Sequence, residues 1–414
     1  MTALIKGRKP EKAEQLLPTY CYTKEQWFER EKKELFNRSW IYVCQASDLQ
    51  KPGDFITVQV GEYPLVVIHG DDGELHGFHN LCRHRGAKIL EGQGNISRAI
   101  VCPYHRWSYS RNGDLKAIPQ GKDLFPEVNK CSLSLKRAAL GEYRNLLFIN
   151  PQESPAESFE DFLADIPANT WPGKTEELEP LVKMRWEIDC NWKVFVENAE
   201  DGYHLMHLHK DTLQGPKPEG QDWRAVGRHW IWDGKVPLFG KRLKTMSEEE
   251  KAKYADWQIV PGTDPKTYGG QVYKLFPTFI LMPLLDIASI TRLEPVSAQK
   301  TRMEVVVMAP RPRSAEEKQQ QLEKLLAFAP MPGATVNEDG WVNDGKYLRM
   351  ENFKDEHPLV SGNFHHEDVW QVQMMQQGMN SPAYEMGPMA PEVETALTYF
   401  QQNVLDFVPL KEEG

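Results

Sequence analysis

Cysteine is scarce in this chain, six in 414 residues, far below the density of a disulfide-stapled scaffold. No run approaches the roughly 18 apolar residues of a membrane-spanning helix, so no membrane partner is expected. The opening MTALIKGRKPEKAEQ has no apolar core of the secretory kind, which predicts a cytoplasmic protein. Positive charge is in deficit: 49 Lys and Arg stand against 59 Asp and Glu, a net charge of −10. Without a basic stripe, nucleic acid is not an expected partner either. Internal repeats, low-complexity tracts and a glycine-rich dinucleotide fingerprint are also lacking. What remains is a globular balance, 40% apolar and 26% charged, long enough for two ordinary domains.

The texture of the chain changes twice. Residues 1–39 hold one amphipathic stretch, with Thr23 and Gln26 spaced as a capping box and Trp27, Phe28, Glu31 and Leu35 on one helix face. Residues 40–151 carry short β-rich runs (WIYVC, FITVQV, PLVVIHG, AIVCPY, NLLFIN) punctuated by Asp72-Gly73 and Asn112-Gly113, which predicts a small antiparallel β domain. Residues 152–414 mix the two periodicities. A helix is expected around 190–210, a charged surface excursion over 235–270, and strands at QVYKLFPTFILMPLL, ASITRLEPV and TRMEVVVMAP. A helix capped by Ser314 and Glu317 follows, and a last one from about Pro391 to Phe407. Strands and helices without strict alternation indicate an α+β fold.

The placing of the few cysteines is informative. Cys82 and Cys102 each have a histidine close by, whereas Cys21, Cys44, Cys131 and Cys190 do not. In a reducing compartment that pattern points to metal. Cys82-x-His84 is followed, after 17 residues, by Cys102-x-x-His105. Two thiolates and two imidazoles suit a structural zinc ion. They equally suit a [2Fe–2S] cluster with two cysteines on one iron and two histidines on the other. A zinc finger groups Cys with Cys and His with His, and a helix follows; here Cys and His alternate, on hairpin-like loops.

The loops read CRHRGA and CPYHRWSY. They resemble the Rieske ferredoxin domain of ring-hydroxylating oxygenases, in which C-x-H-R-G is followed by C-P-Y-H-x-W-x-Y. The resemblance covers roughly residues 20 to 410. It implies an antiparallel β Rieske domain and a helix-grip-like (START-type) catalytic domain with an antiparallel sheet and helices. It makes Cys82, His84, Cys102 and His105 the ligands of the cluster, and Trp107 and Tyr109 its packing residues.

A second constellation follows Asn191-Trp192-Lys193. The segment NWKVFVENAEDGYHLMHLH holds Asp201, His204, His207 and His209. Asp201 and His204 are three apart and share a helix face. His204 and His209 are five apart, so both reach one ion only where the helix is bulged or ending. The oxygenase family carries D-x-x-H-x4-H at this point. By that resemblance His204 and His209 bind a mononuclear Fe(II), and Asp368, in HHEDVWQVQMMQQG, supplies the third ligand of a facial triad with positions open for O2. Glu367 is the neighbouring rival; His207, His365 and His366 are not expected as ligands.

The family trimerises head to tail, so Asp201 is implied as a catalytic bridge, hydrogen-bonded to His204 in its own chain and to His105 across the interface. The assembly implied is a homotrimer, or an α3β3 form with a small β subunit. Electrons from NAD(P)H would arrive through a separate reductase, directly or through a ferredoxin. Phe195, Glu197, Asn198, Phe276 and Trp230 are candidate pocket residues. Phe279, Leu281, Met282, Trp232 and Trp370 are further candidate wall. Glu197 replaces the asparagine of naphthalene-type enzymes and suits a cation beside tryptophans, whereas Arg224, Arg228 or Arg292 would suit a carboxylate.

The function implied is that of a terminal oxygenase component hydroxylating an aromatic small molecule, aromatic acids included. The alternative is a monooxygenase or demethylase acting on a quaternary ammonium or N- or O-methyl compound. A Rieske electron carrier without oxygenase activity, the reading from a different class, is disfavoured by the second constellation.

Overall fold

The computed structural model describes residues 9–213, 222–234, 258–264, 267–331, 333–353 and 357–410. The chain divides into two compact units, Glu29–Phe162 and Met1–Phe28 with Leu163–Gly414. The boundaries expected from sequence, 39/40 and 151/152, lie about ten residues inside the first unit. Among the described residues no helix is long and apolar enough to cross a membrane.

The β unit follows the apolar runs of the sequence. Its strands are β1 (Ile41–Gln45), β2 (Asp54–Val60), β3 (Tyr63–His69), β4 (Leu75–His79), β5 (Gln93–Asn95), β6 (Ile100–Val101), β7 (Ser108–Tyr109), β8 (Leu115–Ala117), β9 (Arg137–Tyr143) and β10 (Leu146–Asn150). Seven form one sheet in the order β1-β10-β9-β4-β3-β2-β5, and β6-β7-β8 form a second. Gly73 and Gly113 take positive φ, +86° and +87°, at the two expected turns, a conformation that only glycine adopts without strain. The core gathers Phe55, Val66, Ile68, Phe78 and Tyr109 around Cys82, Cys102 and Trp107. The two cysteine loops are thus rooted in an apolar core of the unit.

The mixed unit is built on an eight-stranded sheet: β11 (Leu178–Ile188), β12 (Asp222–Val226), β13 (His229–Asp233), β14 (Gln271–Leu275), β15 (Phe279–Pro283), β16 (Ala288–Ser297), β17 (Lys300–Pro310) and β18 (Tyr347–Leu348). The order is β12-β13-β14-β15-β16-β17-β11-β18. Every pairing is antiparallel except β11 with β18. Among the described residues four longer helices accompany it: α1 (Trp192–Glu200), α2 (Ala315–Phe328), α3 (Phe364–Met379) and α4 (Thr395–Phe407). Helices α3 and α4 pack on α1, which packs on β16. Burial of Trp192, Val194, Phe195 and Val196 at 6% exposure or less stabilises this contact by about 1.5–3 kcal/mol per side chain.

Three local expectations meet tertiary overrides. Thr23 closes a four-residue helix, Tyr20–Thr23, instead of capping a longer one; its hydroxyl donates back to Thr19 O. The helix expected over 190–210 stops at Glu200, and the last helix begins at Thr395, after a turn at 391–393. Ser314 does cap α2, accepting from Glu317 N, but the Glu317 carboxylate turns to Arg313. Of the expected surface excursion, residues 235–257 and 265–266 lie outside the described residues.

Candidate metal centres

The first centre is made by two loops of one geometry. Cys82 N donates to Ala87 O and Cys102 N to Trp107 O, each at 2.8 Å. Gly86 N returns to Cys82 O at 3.0 Å, and Arg106 N to Cys102 O at 3.1 Å. Four residues after each cysteine the backbone is left-handed: Gly86 at φ +74°, Arg106 at φ +61°. The first loop needs its glycine; the second carries arginine there at a cost of roughly 1–2 kcal/mol. Leu81 and Lys88 close the first loop with a single antiparallel bridge, and the β6–β7 hairpin closes the second.

These turns bring the expected ligands together. His84 Nδ1 and His105 Nδ1 face each other at 3.1 Å. Cys82 and Cys102 are both buried. Burial pushes the Cys82 thiol up, against the Tyr109 hydrogen bond, and the adjacent Cys102 adds to the rise. Two buried thiols beside two imidazole nitrogens turned on one point form a donor set that a cationic iron–sulfur centre satisfies. Trp107 stacks on His84 with ring centroids 4.8 Å apart and planes at 10°, and Phe125 sits edge-on to both. Tyr109 Oη accepts from Arg83 N at 2.9 Å and lies within hydrogen-bond reach of Cys82 Sγ, at 3.3 Å.

The second centre stands where α1 ends. Asn191 caps α1, accepting from Lys193 N at 3.0 Å, and ties it to α3 through Gln376 Oε1, which accepts from Asn191 N at 2.8 Å. Asp201 terminates the helix in an extended conformation. His204–Met206 form a 3-10 turn, and His209 lies beyond it. The five-residue spacing of the histidines is therefore met by a helix end. Asp201 and His204 are not on one α-helix; the turn between them still sets Asp201 Oδ2 3.3 Å from His204 Nδ1.

On the other side Asn363 caps α3, accepting from His365 N at 2.9 Å, and so fixes the first turn that carries Glu367 and Asp368. His209 Nε2 lies 3.0 Å from Asp368 Oδ1 and His204 Nε2 3.7 Å from it. One donor atom from each of the three lies within 4.8 Å of the others. Neighbouring donors of a six-coordinate ion with bonds of about 2.1 Å sit about 3 Å apart, so the set fits one face of such an ion. Burial alone would raise Asp368, but His209, His204 and the Asn198 amide, donating at 2.9 Å, hold its carboxyl below the usual range. Burial likewise opposes charge on His209, yet Asp368 and Glu367 bring its pKa above the ordinary value.

The remaining candidates are dispersed. Glu367 is turned away from the three donors and meets His209 Nδ1 at 2.6 Å. His207 is exposed, and His366 packs against Trp186 and Phe353. Of the pocket candidates, Asn198 touches Asp368. Glu197 instead lies inside the unit, where Tyr22 Oη donates to it at 2.6 Å and Gln401 Nε2 at 3.0 Å; burial pushes its pKa up to about 7. Phe276 packs on Phe400 and Phe407, and Trp230 clusters with Trp223, Ala396 and Tyr399. Phe195 is buried in α1. Arg224, Arg228 and Arg292 face Asp233, Asp406 and Glu304. Sequence reasoning missed Asn363, Thr212 and Tyr22. Only Asn363 left a signal, an N-cap residue just ahead of the HHED run.

Comparison with known proteins follows the same two-part division. The family model for the ring hydroxylating alpha subunit (catalytic domain) matches residues 175–410, and that for the Rieske [2Fe-2S] domain matches residues 39–131. A toluate 1,2-dioxygenase subunit alpha from Pseudomonas putida is 30% identical over 340 residues, 72% of each chain. A carnitine monooxygenase oxygenase subunit from Acinetobacter baumannii is 34% identical over 218 residues, 51% of this chain and 57% of that one. The chain spans about half the length of the first curated relatives it matches. Among solved structures, the quaternary ammonium Rieske monooxygenase CntA superposes with a TM-score of 0.70 at 21% identity over 95% of each chain, a likeness of fold.

Proposed function

The chain belongs to the ring-hydroxylating alpha-subunit family, with a Rieske [2Fe–2S] domain ahead of the catalytic one, and we propose that it is the terminal oxygenase component of a multicomponent system. The observation that carries this reading is the convergence of one donor atom each from His204, His209 and Asp368 within 4.8 Å. Two imidazoles and one carboxylate on one face leave the opposite face open to O2 and substrate. Ferrous iron held there would supply oxygen activation, and Cys82, His84, Cys102 and His105 would hold a cluster able to supply an electron at a potential raised by histidine ligation.

The substrate class proposed is a small aromatic acid. Toluate is an aromatic carboxylate. Carnitine, the substrate named for another relative, is a carboxylate with a quaternary ammonium group, and that relative favours a second reading, oxidation of a quaternary ammonium acid. Reduced protein given O2 with each compound pool separately distinguishes them. One or two oxygens added to an aromatic acid, with faster cluster oxidation, supports the first reading. Aldehyde release from the ammonium pool supports the second.

Partners belong to the same proposal: a cytoplasmic homotrimer, with or without a small β subunit, served by a separate NAD(P)H-linked reductase. A groove of the β unit supports an acidic electron donor. Lys33, Arg38, Arg83 and Lys136 line it, Cys82 forms part of its wall, and no carboxylate is among its lining residues. Reduction by such a donor is expected to slow as salt rises. Head-to-tail assembly is supported by the exposure of Tyr104, 60%, beside His105, and of Tyr203, 48%, close to Asp201. Asp201→Ala is expected to stop turnover with both metals still bound. Full turnover in that metal-replete variant would remove Asp201 from the electron path.

A further inference from the structure

The two candidate iron histidines are each backed by a carboxylate, and the two supports are built differently. Behind His204, Asp201 Oδ2 lies 3.3 Å from Nδ1 with both side chains partly exposed, 16% and 20%. No hydrogen bond is aligned there, and the other oxygen of Asp201 accepts from Tyr203 N at 2.7 Å. Behind His209, Glu367 Oε2 lies 2.6 Å from Nδ1 with both side chains 1% exposed. The same oxygen accepts from the Thr212 hydroxyl at 2.8 Å, and Thr212 N donates to His209 O at 3.2 Å. Carboxylate, imidazole and backbone form one closed unit.

We propose that Glu367 is a positioning residue of the iron site, holding His209 as its Nδ1–H tautomer so that the Nε2 lone pair is the one presented to the metal. The inference rests on the reading of His204, His209 and Asp368 as the iron-binding set. A neutral imidazole has one N–H and one lone pair, and a carboxylate fixed at one nitrogen decides which is which. Glu367 and Asp368 are consecutive in α3, and successive helical residues point about 100° apart. One dipeptide therefore reaches both nitrogens of the same ring, Glu367 at Nδ1 and Asp368 at Nε2. The glutamate that competes with Asp368 on paper is thus assigned to the far side of the histidine. The buried pair makes His209 the fixed arm of the site. His204, whose aspartate is partly exposed and makes no aligned hydrogen bond to it, lacks that support.

The test is Fe(II) affinity of the full-length protein, measured anaerobically by chelator competition at the mononuclear site. The visible spectrum of the [2Fe–2S] cluster serves as the control for folding. Glu367→Met fills the same space without an acceptor, whereas Glu367→Gln keeps an oxygen for the Nδ1 proton. Ten- to hundredfold weaker binding in Glu367→Met is expected, the range typical for loss of a group that orients a metal ligand. Glu367→Gln should recover most of that loss. Affinity within twofold of the unmodified protein in Glu367→Met would overturn the proposal, as would equal loss in both variants. Asp368→Ala separates the premise from the inference. Retained Fe(II) affinity in that variant defeats the three-ligand reading itself. Abolished binding there, with Glu367→Met unaffected, defeats only the role of Glu367.

Discussion

At the scale of single residues, two hydrogen-bonded side chains carry measurable consequences. Tyr109 Oη lies 3.3 Å from Cys82 Sγ; a thiolate bound to the cluster can only accept there, and hydrogen bonds to the sulfurs of a cluster favour its reduced, more negative state. Tyr109→Phe is expected to lower the reduction potential of the cluster, read by redox titration of the visible spectrum. Glu197 lies buried, its pKa raised from 4.5 to about 7 by burial, with Tyr22 and Gln401 pulling the other way. Between those two pH values the folded chain holds a proton that the unfolded chain has released, so stability falls as pH rises through this window. Each unit of raised pKa is worth about 1.4 kcal/mol. Glu197→Gln cannot ionise, and its advantage over the unmodified protein should grow from pH 5 to pH 8 in denaturant melts. A constant difference would mean that Glu197 does not titrate in that range.

At the scale of elements, the candidate iron site depends on how two helices end. The stop of α1 at Glu200 frees Asp201, His204 and His209 to fold back in a turn, and the start of α3 at Asn363 orients Glu367 and Asp368. Asn363 satisfies two free N–H groups of the first turn, those of His365 and His366. Asn363→Ala is expected to cost about 1–2 kcal/mol of stability and to weaken Fe(II) binding while leaving the cluster spectrum unchanged. Unchanged iron affinity would show that the sheet and α1, rather than the cap, hold Glu367 and Asp368 in place. Arg106 is a second element-scale feature. Its left-handed backbone matches that of Gly86 in the twin loop, and no sequence rule names an arginine for such a position.

At the scale of the molecule, the β unit is one contiguous stretch with its own core, whereas the mixed unit takes residues from both ends of the chain. Leu16 N donates to Gln401 Oε1 at 2.7 Å, Ala13 N to Pro391 O at 2.8 Å, and Ala298 N to Glu25 Oε2 at 3.0 Å. A fragment of residues 29–162 is accordingly expected to fold alone and to show the red-brown Rieske spectrum after reconstitution. Removing residues 9–28 should destabilise what remains, because it strips Tyr22 from buried Glu197. A fragment 29–162 that stays unfolded would show that its core needs the rest of the chain.

The sequence by itself carried the candidate ligands: two loops pairing Cys with His, a D-x-x-H-x4-H segment and a late E-D pair, the last two picked out by their resemblance to the oxygenase family rather than by spacing alone. Local patterns also placed half of the described strands, because alternation and turn residues act within a few positions. What they could not determine was which way each side chain faces once distant segments meet. Glu367 and Asp368 differ by one position, and only the packing of α3 against α1 and the 201–212 turn decides that Asp368 joins the histidines while Glu367 stands behind one of them. Glu197 reads as a pocket residue by spacing, yet Tyr22 and Gln401, 175 and 204 positions away, enclose it in the interior. Residue type and local spacing set what a site is made of. Long-range contacts set the direction of each donor and its exposure to water, and those fix its charge and its task.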